Sequence, residues 1–358
     1  MKIPSSSGDT ANLCVTWQCP SNIALVKYWG KKPGQLPASP SLSMTLNHAV
    51  TQTSVTVLDG SASQGLLSVN GDPGHPFLPK MQQLLLHMAE ELPVLNRVSL
   101  AVTTENSFPH STGIASSASG IGAFALCLLS IGRQLMQQEI SSDELLHLAS
   151  RAARMGSGSA CRSLYGGYSA WGETAGLQRS SDEYAIPVSA LVHPEMLKMR
   201  DAILVISSQP KSMPSTLGHK SMEGHPFYTG RIAQANQNME EMLKSLAGND
   251  FEKLCIIAEG EALTLHALMM SASPGIMLML PSTVEVIHRV RYARKSGLPL
   301  CFTLDAGANV HVLYPDKSAG AVEAFISDAL GPLCEGGRII FDSCGGGPVR
   351  LTESAGHG

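Results

Sequence analysis

From Ile121 to Ile131 the chain reads Ile-Gly-Ala-Phe-Ala-Leu-Cys-Leu-Leu-Ser-Ile, and the next charge is Arg133. The run itself is too short to span a bilayer, and it predicts a long apolar helix ending near Met136. It needs a protein core to lie in. A chain of 358 residues supplies one, since roughly 100–200 residues per domain implies about two domains. At 44% hydrophobic and 15% charged, with 34 glycines, the composition is that of a compact protein. Lys and Arg number 25 against 29 Asp and Glu, a net −4 with no basic block, which argues against nucleic acid as a partner. Eight cysteines without a C-x-x-C pair read as reduced, buried thiols rather than a disulfide frame or zinc cage. The polar stretch Met1 to Asn12 lacks the apolar core of a signal peptide, so the expected location is cytoplasmic, with no membrane partner.

Around that helix the chain divides in two. Alternating or β-branched runs predict strands at Cys14–Gln18, Leu42–Leu46, Thr51–Leu58, Gly65–Val69, Arg97–Thr104 and Tyr165–Trp171. Apolar positions at helical spacing predict helices over Phe77–Leu92 and Ser142–Arg154, the latter with acidic Asp143 and Glu144 in its first turn. A polar, turn-rich stretch from Thr174 to Glu183 precedes a boundary near residue 190, giving domains 1–190 and 191–358. The second part predicts strands at Ala202–Ser208, Leu300–Leu304, Val310–Tyr314 and Gly337–Phe341. Helices are expected over Tyr228–Leu246, Phe251–Met270 and Ser282–Ser296. Mixed elements without regular βαβ alternation indicate α+β, with a sheet in each half.

Four segments carry candidate chemistry. Thr104 to Gly120 joins a strand to the apolar helix through small residues whose backbone N–H groups can approach an anion at a helix N-terminus. It is not a Walker A loop, and the plainer alternative is a Ser-capped helix. Gly156-Ser157-Gly158-Ser159-Ala160-Cys161-Arg162-Ser163 offers hydroxyls and a guanidinium for a carboxylate or phosphate. In Cys19 to Lys32, Lys27 stands between Val26 and Tyr28, where a buried ammonium needs an anionic partner. Asp305 is an isolated carboxylate at the end of an apolar strand, a candidate general base or else an Asx turn. The twelve histidines show no metal spacing, and no protein-built metal site is expected.

Taken in order, these segments resemble the diphosphomevalonate decarboxylase family of the GHMP kinase superfamily. The matching motifs are N-I-A-x-x-K-Y-W-G-K at Asn22–Lys31, E-N-x-F-P-x-x-x-G-x-A-S-S-A-x-G at Glu105–Gly120, the octapeptide at Gly156–Ser163, and D-A-G-x-N at Asp305–Asn309. The resemblance implies a two-lobed α+β GHMP kinase fold, the first lobe like ribosomal protein S5 domain 2 and the second ferredoxin-like, with the active site in the cleft. It implies ATP-dependent decarboxylation of mevalonate 5-diphosphate to isopentenyl diphosphate, with Mg²⁺ held mainly by ATP phosphates. The family also implies a homodimer.

By position, the resemblance makes Asp305 the group that deprotonates or orients the C3 hydroxyl, and Lys27 its charged partner. Asn22 and Arg162 would hold the substrate carboxylate. Tyr28, Lys31, Ser157 and Ser159 would bind the diphosphate, and Ser215 would sit on a loop near the reacting groups. Ser111, Gly113, Ser116, Ser117 and Ser119 fall in the ATP phosphate loop. The chain departs from the common family pattern at Lys32–Pro40, at Leu217-Gly218-His219, at Gly224-His225-Pro226 and at Ala308. Two rival activities on the same fold are a mevalonate 3-kinase and a decarboxylase of the monophosphate. The presence of both Lys27 and Asp305 argues against the first, and the intact diphosphate set against the second.

Overall fold

A computed structural model describes residues 13–58, 65–108, 116–209 and 215–351. The chain begins with β1 (Cys14–Val26) and β2 (Ser41–Leu58), followed by β3 (Gly65–Val69), α1 (Leu78–Glu91), β4 (Ser99–Asn106), α2 (Ser116–Leu135) and α3 (Ser142–Gly156). Next come β5 (Tyr168–Trp171), β6 (Ala185–Pro187), β7 (Met199–Leu204), α4 (Ser215–Lys220), α5 (Tyr228–Gly248) and α6 (Phe251–Met270). It closes with α7 (Pro281–Lys295), β8 (Cys301–Thr303), β9 (Val310–Pro315), α8 (Ala319–Phe325), β10 (Ile339–Ser343) and β11 (Val349–Leu351).

Two sheets form, as the α+β reading expects. The first runs β11-β1-β2-β4-β3, with β5 and β6 continuing from the other end of β2; among the described residues only β3 and β4 pair in parallel. The second is antiparallel, in the order β10-β7-β9-β8. Helix α2 lies against the first sheet, where Phe124, Leu126 and Leu128 pack with Val15, Val55 and Val102. By length and hydropathy α2 would pass as a membrane span, yet 78% of that stretch is buried within the protein. A helix apolar on every side is a core helix when both faces are covered. A second apolar layer joins the lobes: Ile23, Leu25 and Met44 from the first sheet pack with Met199, Ile203, Met239 and Leu254. The third core lies between the second sheet, α7 and α8.

Three differences from the sequence reading bear on the site. Strand β1 continues past Gln18 to Val26, carrying Asn22 directly into the cleft, because its pairing with β2 tolerates register shifts at Pro20/Asn22 and Ala24/Val26. The tail is the second difference. Residues Val349–Leu351 leave the second half and pair with Thr16–Gln18 of β1.

The third is that the strands expected at Leu42–Leu46 and Thr51–Leu58 are one strand. The β1 ladder skips from Val50 to Thr45, which would orphan the intervening backbone groups. The carboxylate of Asp342, on β10, takes them over. It accepts the N–H groups of Asn47, His48 and Ala49 at 2.9, 2.9 and 2.8 Å. A buried donor left without an acceptor costs about 1–3 kcal/mol, and here the Ala49 N–H is the buried one while Asn47 and His48 are exposed residues. Asp342→Ala should therefore destabilise the protein by roughly 1–3 kcal/mol, to be read from the shift of the urea unfolding midpoint against wild type.

Candidate active site

Lys27 follows the last residue of β1, and its side chain is 1% exposed. Its Nζ donates to the Ala24 carbonyl at 2.6 Å and to Asp305 Oδ1 at 3.0 Å. Burial pushes the Lys27 pKa down, and the Asp305 carboxylate opposes that shift. Asp305 lies just past β8 and is partly open to solvent, so the pair has one face in the protein and one toward the cleft. The rest of the D-A-G-x-N turn is anchored by Asn309, which accepts the Ser207 N–H at 3.0 Å and donates to the Ser207 carbonyl at 3.2 Å. Asn309 thus ties the turn to the segment after β7.

The Gly156–Ser163 segment leaves α3 and makes a short 3₁₀ turn over Gly158–Leu164. Arg162 is buried within it. Its guanidinium donates to Ser43 Oγ at 2.5 Å and Ser41 Oγ at 2.6 Å, and lies 5.9 Å from the Trp171 ring. None of the ion pairs among the described residues involves Arg162, so hydroxyls hold this charge and no acid neutralises it by contact. Asn22 donates to Ser163 Oγ at 2.7 Å and more weakly to the Ser159 carbonyl at 3.4 Å. The octapeptide, Asn22, Lys27 and Asp305 are thus brought together, and Arg162 and Asp305 sense each other electrostatically.

Tyr28 stands beside Trp171, ring centroids 4.6 Å apart, and its buried hydroxyl has no partner among the described residues. It rests on Gly158. A Cβ on that glycine would come within 2.7 Å of the hydroxyl oxygen, so only glycine permits the approach. Lys31 lies 6.0 Å from the Tyr28 ring and donates to Gln35. Ser157 and Ser117 hydroxyls stand 3.5 Å apart, joining the octapeptide to the start of α2. Ser119 faces elsewhere: fully buried, it shares a 2.6 Å hydrogen bond with Thr51 of β2. Ser116 and Ser215 are the first residues of α2 and α4, with side chains outside the described structure. Ser111 and Gly113 also lie outside the described residues.

Two domain profiles match this chain. One, described as diphosphomevalonate decarboxylase-like N-terminal domain, covers residues 19–185; the other, mevalonate 5-diphosphate decarboxylase C-terminal domain, covers 202–342. The diphosphomevalonate decarboxylase of Candida albicans is 31% identical over 94% of this chain and 97% of its own. The chain belongs to the diphosphomevalonate decarboxylase family. The solved mevalonate diphosphate decarboxylase from Enterococcus faecalis shares its fold with a TM-score of 0.79 at 28% identity, over 95% of this chain and 99% of the other. A further structure with the same figures is described as MDDEF in complex with MVAPP, AMPPCP and magnesium. Both support the two-lobed fold expected of a GHMP-type enzyme.

Three features of this family member escape a motif reading. Lys80, on α1, is partly buried within electrostatic reach of Lys31; burial first, and then the Lys31 charge, push its pKa down to about 8. Neither ammonium has an acidic partner among the described residues. Next to Ser117 opens a pocket of about 230 Å³, lined by Asn70, His75, Phe77, Thr104 and Asn106. His75 and Phe77 stack at 5.8 Å, and Asn70 pins the wall by accepting the Thr104 N–H at 2.7 Å. The only sequence signal for it is an aromatic pair in a Pro-rich turn ahead of a helix.

The third feature is His219 on α4, one of the positions that depart from the family pattern. Its Nδ1 accepts the Gly30 N–H at 3.2 Å, and the ring lies 4.4 Å from Tyr28 and 4.7 Å from Trp29. Gly30 turns at φ +90, which lets its N–H face the imidazole. Burial, then the Lys31 and Arg162 charges, push the His219 pKa down to about 3. An unfolded histidine takes its proton near pH ~6.5, so between that value and about 3 the unfolded state binds more protons. Stability contributed by the neutral ring is present above pH ~6.5 and is lost as pH falls. The loss approaches about 1.4 kcal/mol per pH unit. His219→Asn keeps an acceptor for Gly30 without the titration. Melting temperature should therefore fall less steeply from pH 7 to pH 5 in the variant than in wild type, and parallel slopes would refute the assignment.

Proposed function

We propose that this chain performs the family's reaction at the Lys27–Asp305 pair. ATP and mevalonate 5-diphosphate are consumed, and isopentenyl diphosphate, ADP, phosphate and carbon dioxide are formed. The observation that carries the reading is a buried lysine paired with a half-open aspartate, within electrostatic reach of an Arg162 charge that only hydroxyls hold. That constellation suits a substrate with a hydroxyl to activate and a carboxylate to hold.

In the proposed course Asp305 accepts the C3 hydroxyl proton as the oxygen takes the γ-phosphoryl group of ATP. A tertiary hydroxyl is a poor leaving group, whereas a phosphate leaves readily. The C3–O bond then breaks with both electrons going to phosphate. The electrons of the bond to the carboxyl carbon form the new double bond, and carbon dioxide departs. Lys27 keeps Asp305 charged and faces the transferred phosphoryl group. Arg162 and Asn22 orient the carboxylate, for which a planar guanidinium is suited. Tyr28, Lys31, Ser157 and Ser159 hold the diphosphate, and we add Lys80. Ser111, Gly113, Ser116 and Ser117 are assigned to the ATP phosphates at the entry to α2, whereas Ser119, buried against Thr51, can only brace that entry; Ser215 is assigned to the reacting groups, and the His75–Phe77 pocket suits a nucleobase.

Among the described residues no three His, Cys, Asp or Glu side chains converge on one point. The proposal has Mg²⁺ bound through nucleotide phosphates and water, with hydroxyls such as Ser117 nearby. When bound, the ion neutralises phosphate charge. A cytoplasmic, homodimeric enzyme is part of the proposal, and a single-chain mass in light scattering would remove the dimer. We also assign residues 1–190 and 191–358 to the two lobes, with β11 returning to the first.

The discriminating experiment supplies ATP, Mg²⁺ and mevalonate carrying no, one or two 5-phosphates, and measures ADP and carbon dioxide together. The diphosphate should release both in equal amounts; ADP without carbon dioxide would mean a 3-kinase, and preference for one phosphate a monophosphate decarboxylase. Asp305→Asn should lower turnover by about 10²–10⁴-fold with binding largely kept, the range for a lost general base. Arg162→Lys should cost about 2–5 kcal/mol in kcat/KM, roughly 30-fold or more, at unchanged melting temperature. A lowered melting temperature with normal specific activity would make Arg162 structural.

A further inference from the structure

Strand β1 ends at Val26, so the N–H and C=O of Lys27 have no ladder partner, yet both are buried. Two side chains of the second lobe satisfy them. Glu261 Oε2, on α6, accepts the Lys27 N–H at 2.7 Å, and Arg231 Nη2, on α5, donates to the Lys27 carbonyl at 2.9 Å. These two residues are locked together. Arg231 grips Glu261 through two bonds of 2.6 and 2.7 Å, with both side chains at most 1% exposed. Asn238 Nδ2 donates a further bond to Glu261 Oε1 at 2.7 Å. The carboxylate thus accepts four hydrogen bonds, which fills its lone-pair sites and leaves it one orientation.

The same helix reaches the other member of the reacting pair. His266 Nε2, also on α6, lies 3.1 Å from the Asp305 carbonyl and carries the proton in that contact, since a carbonyl only accepts. A buried ion pair is weak evidence for stability in itself, because apolar residues often replace one without loss. Here the pair does something that apolar residues cannot do, because it terminates the Lys27 backbone.

We propose that α6 is the alignment element of the active site: Glu261, braced by Arg231, fixes the backbone of Lys27, and His266 fixes that of Asp305, so that one helix sets the distance between the two. These are positioning residues; they touch Lys27 and Asp305, not the substrate. The inference rests on the catalytic reading of Lys27 and Asp305 given above.

A double-mutant cycle tests it, with melting temperature, kcat and KM measured on the same samples and residual rates taken from single turnovers. Glu261→Gln keeps an acceptor for Lys27 but loses the charge and half of the Arg231 clamp. It should lower kcat by about tenfold or more while KM for both substrates stays within about threefold, the pattern of an interaction that matters in the transition state. In a Lys27→Met background the same change should alter the residual rate by less than about twofold, because a residue acting through Lys27 has nothing left to position. A folded Glu261→Gln with wild-type kcat, or equal losses in both backgrounds, would overturn the proposal. If Glu261→Gln does not fold, Arg231→Lys carries the cycle, since lysine keeps the charge but cannot bridge Glu261 and the Lys27 carbonyl together; the same two results decide. His266→Leu should lower kcat likewise, and wild-type kcat there would remove His266 from the device. Full activity of Lys27→Met itself would sink the catalytic reading and the positioning with it, whereas a crippled Lys27→Met beside an unaffected Glu261→Gln would sink the positioning alone.

Discussion

An ammonium group taken out of water costs several kcal/mol unless its charge and its donors are met inside the protein. Lys27 sets that demand at the end of the first-lobe strand β1: the Ala24 carbonyl of its own strand and Asp305 of the other lobe take its ammonium, and Glu261 and Arg231 of the other lobe take its backbone groups. The site therefore exists only when the lobes are docked. The apolar layer between β1, β2, β7, α5 and α6 supplies the docking, and its buried methionines and leucines place Glu261 and Asp305 where polar contacts alone would not hold them. Apolar packing gives the interface its strength, and the carboxylates give it its registry.

Around this anchor the cleft is left short of negative charge. Arg162 leans on two serines, Lys31 and Lys80 press on each other, and the Tyr28 hydroxyl has no partner among the described residues. In a finished core such features would be faults. Beside a cleft they describe what is to fill it: a ligand with several anionic oxygens. The chain as a whole carries −4, so the attraction is a local arrangement and not a property of net charge.

What the sequence made legible was whatever short-range chemistry encodes. The apolar helix, the glycine-rich turns, the isolated Asp305 and the sandwiched Lys27 could be read from their neighbours, and the α+β class followed from the order of elements. Features that depend on distant partners could not. Strand β2 is continuous because a carboxylate on β10 satisfies Asn47 to Ala49. Glu261 looks like any acid in an amphipathic helix until Arg231 and Lys27 meet it. His219 could be noticed only as a departure from a motif. Its neutral state comes from burial between two rings, which no local pattern shows.

The strand β11 has a consequence in time. Thr16 to Gln18 are synthesised long before their partners Val349 to Leu351. The outer edge of the first sheet must stay open while the whole second lobe is synthesised and folds, since contacts between chain ends close last and slowly. During that interval β1 presents an unpaired row of N–H and C=O groups, the exposed edge that other strands can join. β11 therefore acts as a seal: until it has been made and has docked, the edge of β1 stays open to strand capture by its neighbours.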